Sequence, residues 1–186
     1  MKGFIPRGEV QNLINGCLAK DRTSQRKIYD YYSPSMMSLC LRYSTNREEA
    51  EEILQDGFVQ MYKYISQFKN SGSFEGWLRK IMINCAIQRY RVKKHLFNSV
   101  PLSEEQFYLT SQDDHLIRLS EKELIRLVQS LPPAYRMVFN LYVFEGMKHR
   151  EIASMLHITE GTSKSNLYDA RNILKKQLLP DLTMAR

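Results

Sequence analysis

The sequence predicts an all-helical protein of two small helical domains joined by a linker, the C-terminal one a four-helix domain with a helix-turn-helix. Three observations carry that expectation. Apolar residues recur at helical spacing through almost every long segment. Leu, Met, Lys, Arg, Gln and Glu dominate those segments, and only eight Gly and six Pro interrupt 186 residues. One stretch, from 96 to about 115, loses periodicity and holds Pro101, Glu104-Glu105 and Asp113-Asp114, the composition of a linker. No strand pattern convinces, and no internal repeat is present.

The elements follow in order. Leu13, Ile14, Cys17 and Leu18 give an amphipathic helix beginning near Val10. A second helix spans about Thr23 to Tyr43, its stripe formed by Ile28, Tyr31, Tyr32, Met36, Leu39, Cys40 and Tyr43. Pro34 falls inside it, where a kink or local break is expected. Asn46 reads as an N-cap, and Glu48, Glu49, Glu51 and Glu52 crowd the first turns of a third helix, where acids suit the exposed N–H groups. That helix continues through Ile53, Leu54, Phe58, Met61, Tyr62 and Ile65. After the polar loop Lys69–Ser73, a fourth helix starts near Phe74 and ends in the basic run Arg89, Arg91, Lys93, Lys94.

Beyond the linker, a helix is expected from near Leu116, with Leu119, Leu124, Leu127, Val128 and Leu131, stopped by Pro132-Pro133. Three more are expected at about 134–145, 149–156 and 160–178. The organisation is then an N-terminal segment (1–20), a first domain (21–95), a linker (96–118) and a second domain (119–180).

Composition bounds the function. The net charge is +7 and the pI about 9.3, which favours a polyanion, usually nucleic acid; a merely basic soluble protein fits the charge as well. Cys17, Cys40 and Cys85 are far apart and form no zinc-ligand spacing. They read as small core residues in a reducing compartment. No run of about 18 apolar residues occurs, and the N-terminus lacks an apolar signal core, so the expected location is the cytoplasm. No metal, cofactor, small-molecule substrate or catalytic group is expected. The four histidines, at 95, 115, 149 and 157, pair with no acid or nucleophile in a catalytic pattern.

The most specific local signal is HREIASMLHITEGTSKSNLYDAR, residues 149–171. Ile152, Ala153 and Leu156 form the buried side of a short helix. Ile158 plugs the turn, and Thr159 caps the next helix. Small Ala153 permits the close crossing that a helix-turn-helix needs. Leu167, Ala170 and Leu174 mark the core side of the second helix, with Ser165, Asp169, Asn172 and Lys176 opposite. The N-terminal part of such a helix meets base edges in the major groove. Lys164 and Ser165 suit guanine acceptors or phosphate, and Asp169 suits a cytosine amine. His149, Arg150, Thr162 and Arg171 suit phosphates. An ordinary helical hairpin with a solvated face is the plain alternative.

The segment LPPAYRMVFNLYVFEGMKHREIASMLHITEGTSKSNLYDARNILKKQL resembles region four of sigma factors of the extracytoplasmic-function group in the sigma-70 family. The segment NREEAEEILQDGFVQMYKYISQFKNSGSFEGWLRKIMINCAIQRYR is similar to their region two. The resemblance implies an alternative sigma factor that binds RNA polymerase core enzyme and directs promoter recognition and melting. It implies that Glu52, Gln55 and Asp56 dock on the clamp coiled coil of the largest subunit, and an acidic and amide face suits an Arg-rich partner. Glu48 and Glu49 read better as a solvated helix start. The resemblance places Asn84 and Gln88 on minus-ten bases, with Arg79, Lys80, Arg89, Arg91, Lys93 and Lys94 on phosphates. It places the loop from Phe68 through Asn70 to Ser73 around a flipped base; a flexible connector is the plain reading. Lys164, Ser165, Asn166, Tyr168 and Asp169 match positions near the minus-thirty-five element. Further implied are an anti-sigma factor as partner, often membrane-bound, and a linker threaded toward the RNA exit path.

The chain departs from the family at four positions. Gln88 stands where an acid is common. Ser163 replaces the usual Val, which is expected to weaken the core side of the helix. Asn166 and Asp169 stand where Arg is common, which is expected to lower nonspecific affinity. A DNA-binding regulator would share the helix-turn-helix but leave the acidic docking helix unexplained. A scaffold would leave the basic surface unexplained.

Overall fold

The computed structural model describes residues 7–69, 72–97 and 120–178. The expected linker, the helix start near Leu116, and Asn70 lie outside them. Eight α-helices follow in order: α1 Arg7–Leu18, α2 Arg22–Tyr43, α3 Arg47–Tyr64, α4 Phe74–Phe97, α5 Glu121–Gln129, α6 Pro133–Phe139, α7 His149–Leu156 and α8 Glu160–Leu178. A 3-10 turn, Ile65–Gln67, extends α3, and a π-helical turn, Asn140–Phe144, extends α6. Among the described residues there is no strand. Contact density divides the chain into two units, residues 1–41 with 47–86, and residues 42–46 with 87–186.

In the first unit, α1 gives way to α2 through Lys20, whose φ of 61° turns the chain sharply. The Asp21 carboxylate then accepts the N–H groups of Thr23 and Ser24 at 3.2 and 2.8 Å, satisfying first-turn donors. The Ser24 hydroxyl, followed by these N–H groups, holds the Asp21 carboxyl below its ordinary range. α2 runs unbroken through Pro34. Pro34 is exposed while Tyr32, Met36, Leu39, Cys40 and Tyr43 stay buried, so packing of that stripe overrides the local break expected there.

α3 begins directly after Asn46 and buries Ala50, Ile53, Leu54, Gly57, Phe58 and Met61. α4 answers with Phe74, Leu78, Met82, Ile83 and Ala86. At Gly57 a Cβ would lie 2.0 Å from Met82 Sδ, so the buried Met82 thioether of α4 fills the space that a side chain on α3 would take. The Tyr62 hydroxyl donates to the Gln25 carbonyl at 2.7 Å, joining α3 to α2. Burial pushes the Cys40 thiol up to about 12, and the Cys17 and Cys85 thiols to about 11. The reactive thiolate is thereby disfavoured. Cys17 and Cys40 are buried, and Cys85 is half-buried.

In the second unit, α5 opens on a capping box at Ser120 and Glu123. α6 starts at Pro133, where the missing N–H costs nothing. Leu131, Ala170 and Leu174 form a buried cluster, with Leu127, Tyr135, Phe139 and Ile173 packed around it. Gly146, at φ 67°, turns the chain from the π-helical turn toward α7.

Candidate nucleic-acid interface and docking face

The helix pair α7 and α8 is built from its turn outward. His157, at φ 51°, ends α7 in the left-handed conformation. The Ile158 N–H donates to the Ala153 carbonyl at 3.1 Å. Thr159 Oγ1 then accepts the Thr162 N–H at 3.0 Å, the N-cap bond expected of it. Ile152, Ala153 and Leu156 are buried on α7, and Ser163, Leu167, Ala170 and Leu174 on α8.

The opposite side of α8 carries the expected reading residues. Lys164, Ser165 and Tyr168 are exposed, and Asn166 and Asp169 are half-buried. Tyr168 is 68% exposed, a large aromatic surface with no place in the core. Lys164 pairs with Glu160 at 2.9 Å, and that hydrogen bond holds the Glu160 carboxyl below its ordinary range. The Ser165 hydroxyl donates back to the Thr162 carbonyl at 3.1 Å, which leaves its lone pairs for an incoming donor. Arg150, Thr162 and Arg171 are exposed.

His149 and Ser163 meet each other, a pairing that the spacing did not predict. Ser163 keeps its place in the core line with 0% exposure. Its Oγ lies 3.0 Å from His149 Nδ1, so a hydrogen bond replaces the apolar contact that Val would make. His149 is half-buried, and its ring stacks on Tyr142 at 4.6 Å and 24°. The Arg171 guanidinium stands 5.7 Å from the Tyr142 ring centroid. Tyr142 and Glu160 were not among the expected site residues. Tyr142 sits inside an apolar run, so no local signal separates it from core.

On α4, Lys80, Asn84 and Gln88 are all exposed. They recur every four residues and therefore share one face. Arg79, Arg89 and Arg91 are half-buried, and Lys93 and Lys94 are exposed. Arg91 donates from one nitrogen to the Met155 carbonyl within the second unit, which leaves other guanidinium N–H groups for a phosphate. Ser73 is committed to the α4 N-terminus, its Oγ accepting the Gly76 N–H at 3.0 Å. Phe68 is half-buried against Phe74 and Trp77, with ring centroids 5.4 and 5.5 Å away. Trp77 is itself half-buried, because its ring closes this aromatic cluster at the surface.

On α3, Glu52, Gln55 and Asp56 are exposed together. Sequence reasoning missed Val59, one turn further along and 64% exposed. Beside this face an open groove of about 320 Å³ runs between α2 and α3, lined by Tyr29, Pro34, Met37 and Leu54 and by the polar Arg47, Glu51 and Gln55. The face therefore combines acids, an amide and apolar surface, which suits a protein partner better than a polyanion. Among the described residues no cluster of His, Cys, Asp and Glu could hold a metal ion, and no helix is long and apolar enough to cross a membrane.

Comparison with known proteins follows the same division. Residues 28–95 match the Sigma-70 region 2 family, and residues 121–174 match Sigma-70, region 4. The chain is 30% identical to the ECF RNA polymerase sigma factor SigW of Bacillus subtilis, over 85% of this chain and 90% of that protein. It is 26% identical to the RNA polymerase sigma-H factor of Pseudomonas aeruginosa, over 98% of this chain and all of that one. Among solved structures it is similar in fold to the sigma factor RpoE of Bartonella quintana, crystallised with the anti-sigma factor NepR. The TM-score is 0.50 and the identity 19%, covering 84% of this chain and 97% of that one.

Proposed function

The chain belongs to the extracytoplasmic-function group of RNA polymerase sigma factors in the sigma-70 family, and from that premise we propose how its residues divide the work of initiation. It binds core polymerase and directs it to promoter DNA. The observation that carries the reading is the presence of region 2 and region 4 in one chain, in that order.

Glu52, Gln55 and Asp56 dock on a basic coiled coil of the polymerase clamp. Their joint exposure on α3 supports this, and the exposed Val59 supplies an apolar contact beside them. Lys80, Asn84 and Gln88 face the minus-ten element; amides that donate and accept suit base edges. Arg79, Arg89 and Lys93 lie on the same helix as phosphate contacts. The loop segment from Phe68 through Asn70 to Ser73 receives a base extruded from the melted strand. Lys164, Ser165, Asn166, Tyr168 and Asp169 read the minus-thirty-five element, with Arg150, Thr162 and Arg171 on phosphates. Nucleotidyl transfer belongs to the core enzyme, and this chain contributes binding and strand separation alone.

An anti-sigma factor is the proposed regulator, since the Bartonella relative was crystallised with one. The protein works where polymerase is, in the cytoplasm, and is held at the inner membrane when such a factor is membrane-bound.

Run-off transcription with purified core polymerase and a randomised promoter library tests the reading. The expected result is a transcript set sharing two elements, with Asp169→Arg changing the preferred base at one upstream position. Duplex binding without any association with core would instead indicate a free-standing DNA-binding regulator.

A further inference from the structure

The contact between His149 and Ser163 lies where the family pattern expects an apolar side chain, and it has chemical consequences. Ser163 Oγ is fully buried and 3.0 Å from His149 Nδ1. Tyr142 covers one face of the same imidazole at 4.6 Å. One nitrogen and one face are thus held, which sets the direction of the other nitrogen, Nε2. Among the described residues Nε2 has no hydrogen-bond partner, yet it is not among the buried polar atoms left without one. It is open to a ligand.

The charged groups around the ring are mostly cationic. Arg150 follows it on α7, and Lys148 precedes it. Arg171 lies over Tyr142. Glu160 on α8 senses both His149 and Arg150 but is paired with Lys164 at 2.9 Å. Glu151 accepts the Lys148 N–H at 2.7 Å. Such a neighbourhood suits an anion.

We propose that Ser163 is the positioning residue that turns the outward nitrogen of His149 toward a DNA phosphate, a role that rests on the promoter-binding reading above. A serine hydroxyl both donates and accepts. With a neutral ring, Oγ–H donates to Nδ1 and Nε2 carries the outward hydrogen. With a protonated ring, Nδ1–H donates to Oγ and Nε2 still carries one. The outward nitrogen therefore donates to phosphate in both states. Valine at 163 would leave Nδ1 without its partner and Nε2 without a fixed direction.

The test uses holoenzyme assembled from core polymerase and the full chain. The probe is a promoter fragment that this holoenzyme selects from a random library. Affinity is measured at neutral pH for the native chain and for His149→Gln, Ser163→Ala and Ser163→Thr. His149→Gln should weaken binding several-fold. Ser163→Ala should weaken binding several-fold at neutral pH, and Ser163→Thr should restore it. Imidazole nitrogen shifts in the free chain should show a hydrogen-bonded Nδ1 that Ser163→Ala removes. Native affinity in Ser163→Ala, with the Nδ1 hydrogen bond lost, would overturn the inference and leave the promoter reading intact. Failure of the native holoenzyme to select any fragment would overturn both.

Discussion

The docking face on α3 and the reading face on α8 solve different problems on the same kind of scaffold. On α3 the proposed contact residues project from a helix whose other side is locked by apolar packing, and Gly57 brings that side hard against Met82. On α8 the reading residues sit on a helix whose N-terminal half is held by polar bonds: the Thr159 cap, the Glu160–Lys164 pair and the Ser163–His149 contact. Apolar packing is insensitive to pH and salt, whereas polar bonds are directional and respond to both. The first arrangement suits a surface that must be rigid for a protein partner. The second places directional hydrogen-bonding groups beside the face offered to a charged ligand.

The largest expected effect separates contact from scaffold on the first helix. Asp56→Arg puts a cation on a face meant for a basic partner and should weaken core binding by about a hundredfold or more, with the urea unfolding midpoint unchanged. Retained core affinity in that variant would mean that the docking face lies elsewhere. Gly57→Val attacks the scaffold side of the same helix. Overpacking against buried Met82 should cost about 2 to 3 kcal/mol in urea unfolding; an unchanged midpoint would show that α3 and α4 separate freely.

Smaller effects probe the polar bonds. Thr159→Ala removes the α8 cap and should destabilise the second unit by about 1 kcal/mol, with faster amide exchange at Thr162 as the local readout. If protection there is unaltered, the cap bond carries little. The smallest effect contrasts a polar turn in the first unit. The Asp21 carboxyl is held below its ordinary range by Ser24 and Thr23, so the folded state binds its proton less readily than the unfolded chain. Its stabilising contribution is present above the unfolded carboxylate pKa and disappears as pH falls through the lower folded value. Asp21→Asn should flatten that part of the acid side of the stability profile, and superimposable acid profiles would remove Asp21 from the account.

Much of this was legible in order along the chain. Helix periodicity located α2, α3, α7 and α8, because each buries one side at a spacing that the pattern repeats. Thr159 was readable as a cap and Leu167, Ala170 and Leu174 as core for the same local reason. The helix read through Pro34 is continuous there, since a proline's missing donor is a local cost that the buried stripe from Tyr32 to Tyr43 outweighs. Val59 was overlooked because one exposed apolar residue carries no periodic signal.

By itself, the sequence determined the helices, their buried sides, the two-part division and, through the resemblance of both parts, the family. Those properties depend on neighbours three or four residues apart, or on long matching segments. Only the tertiary structure decided that Ser163 and His149, 14 residues apart, share a hydrogen bond, that Tyr142 covers the same ring, and that Met37 and Leu54 line one groove between two helices. Each of these requires two elements to be brought together by packing, and nothing in local spacing specifies which side chains then meet.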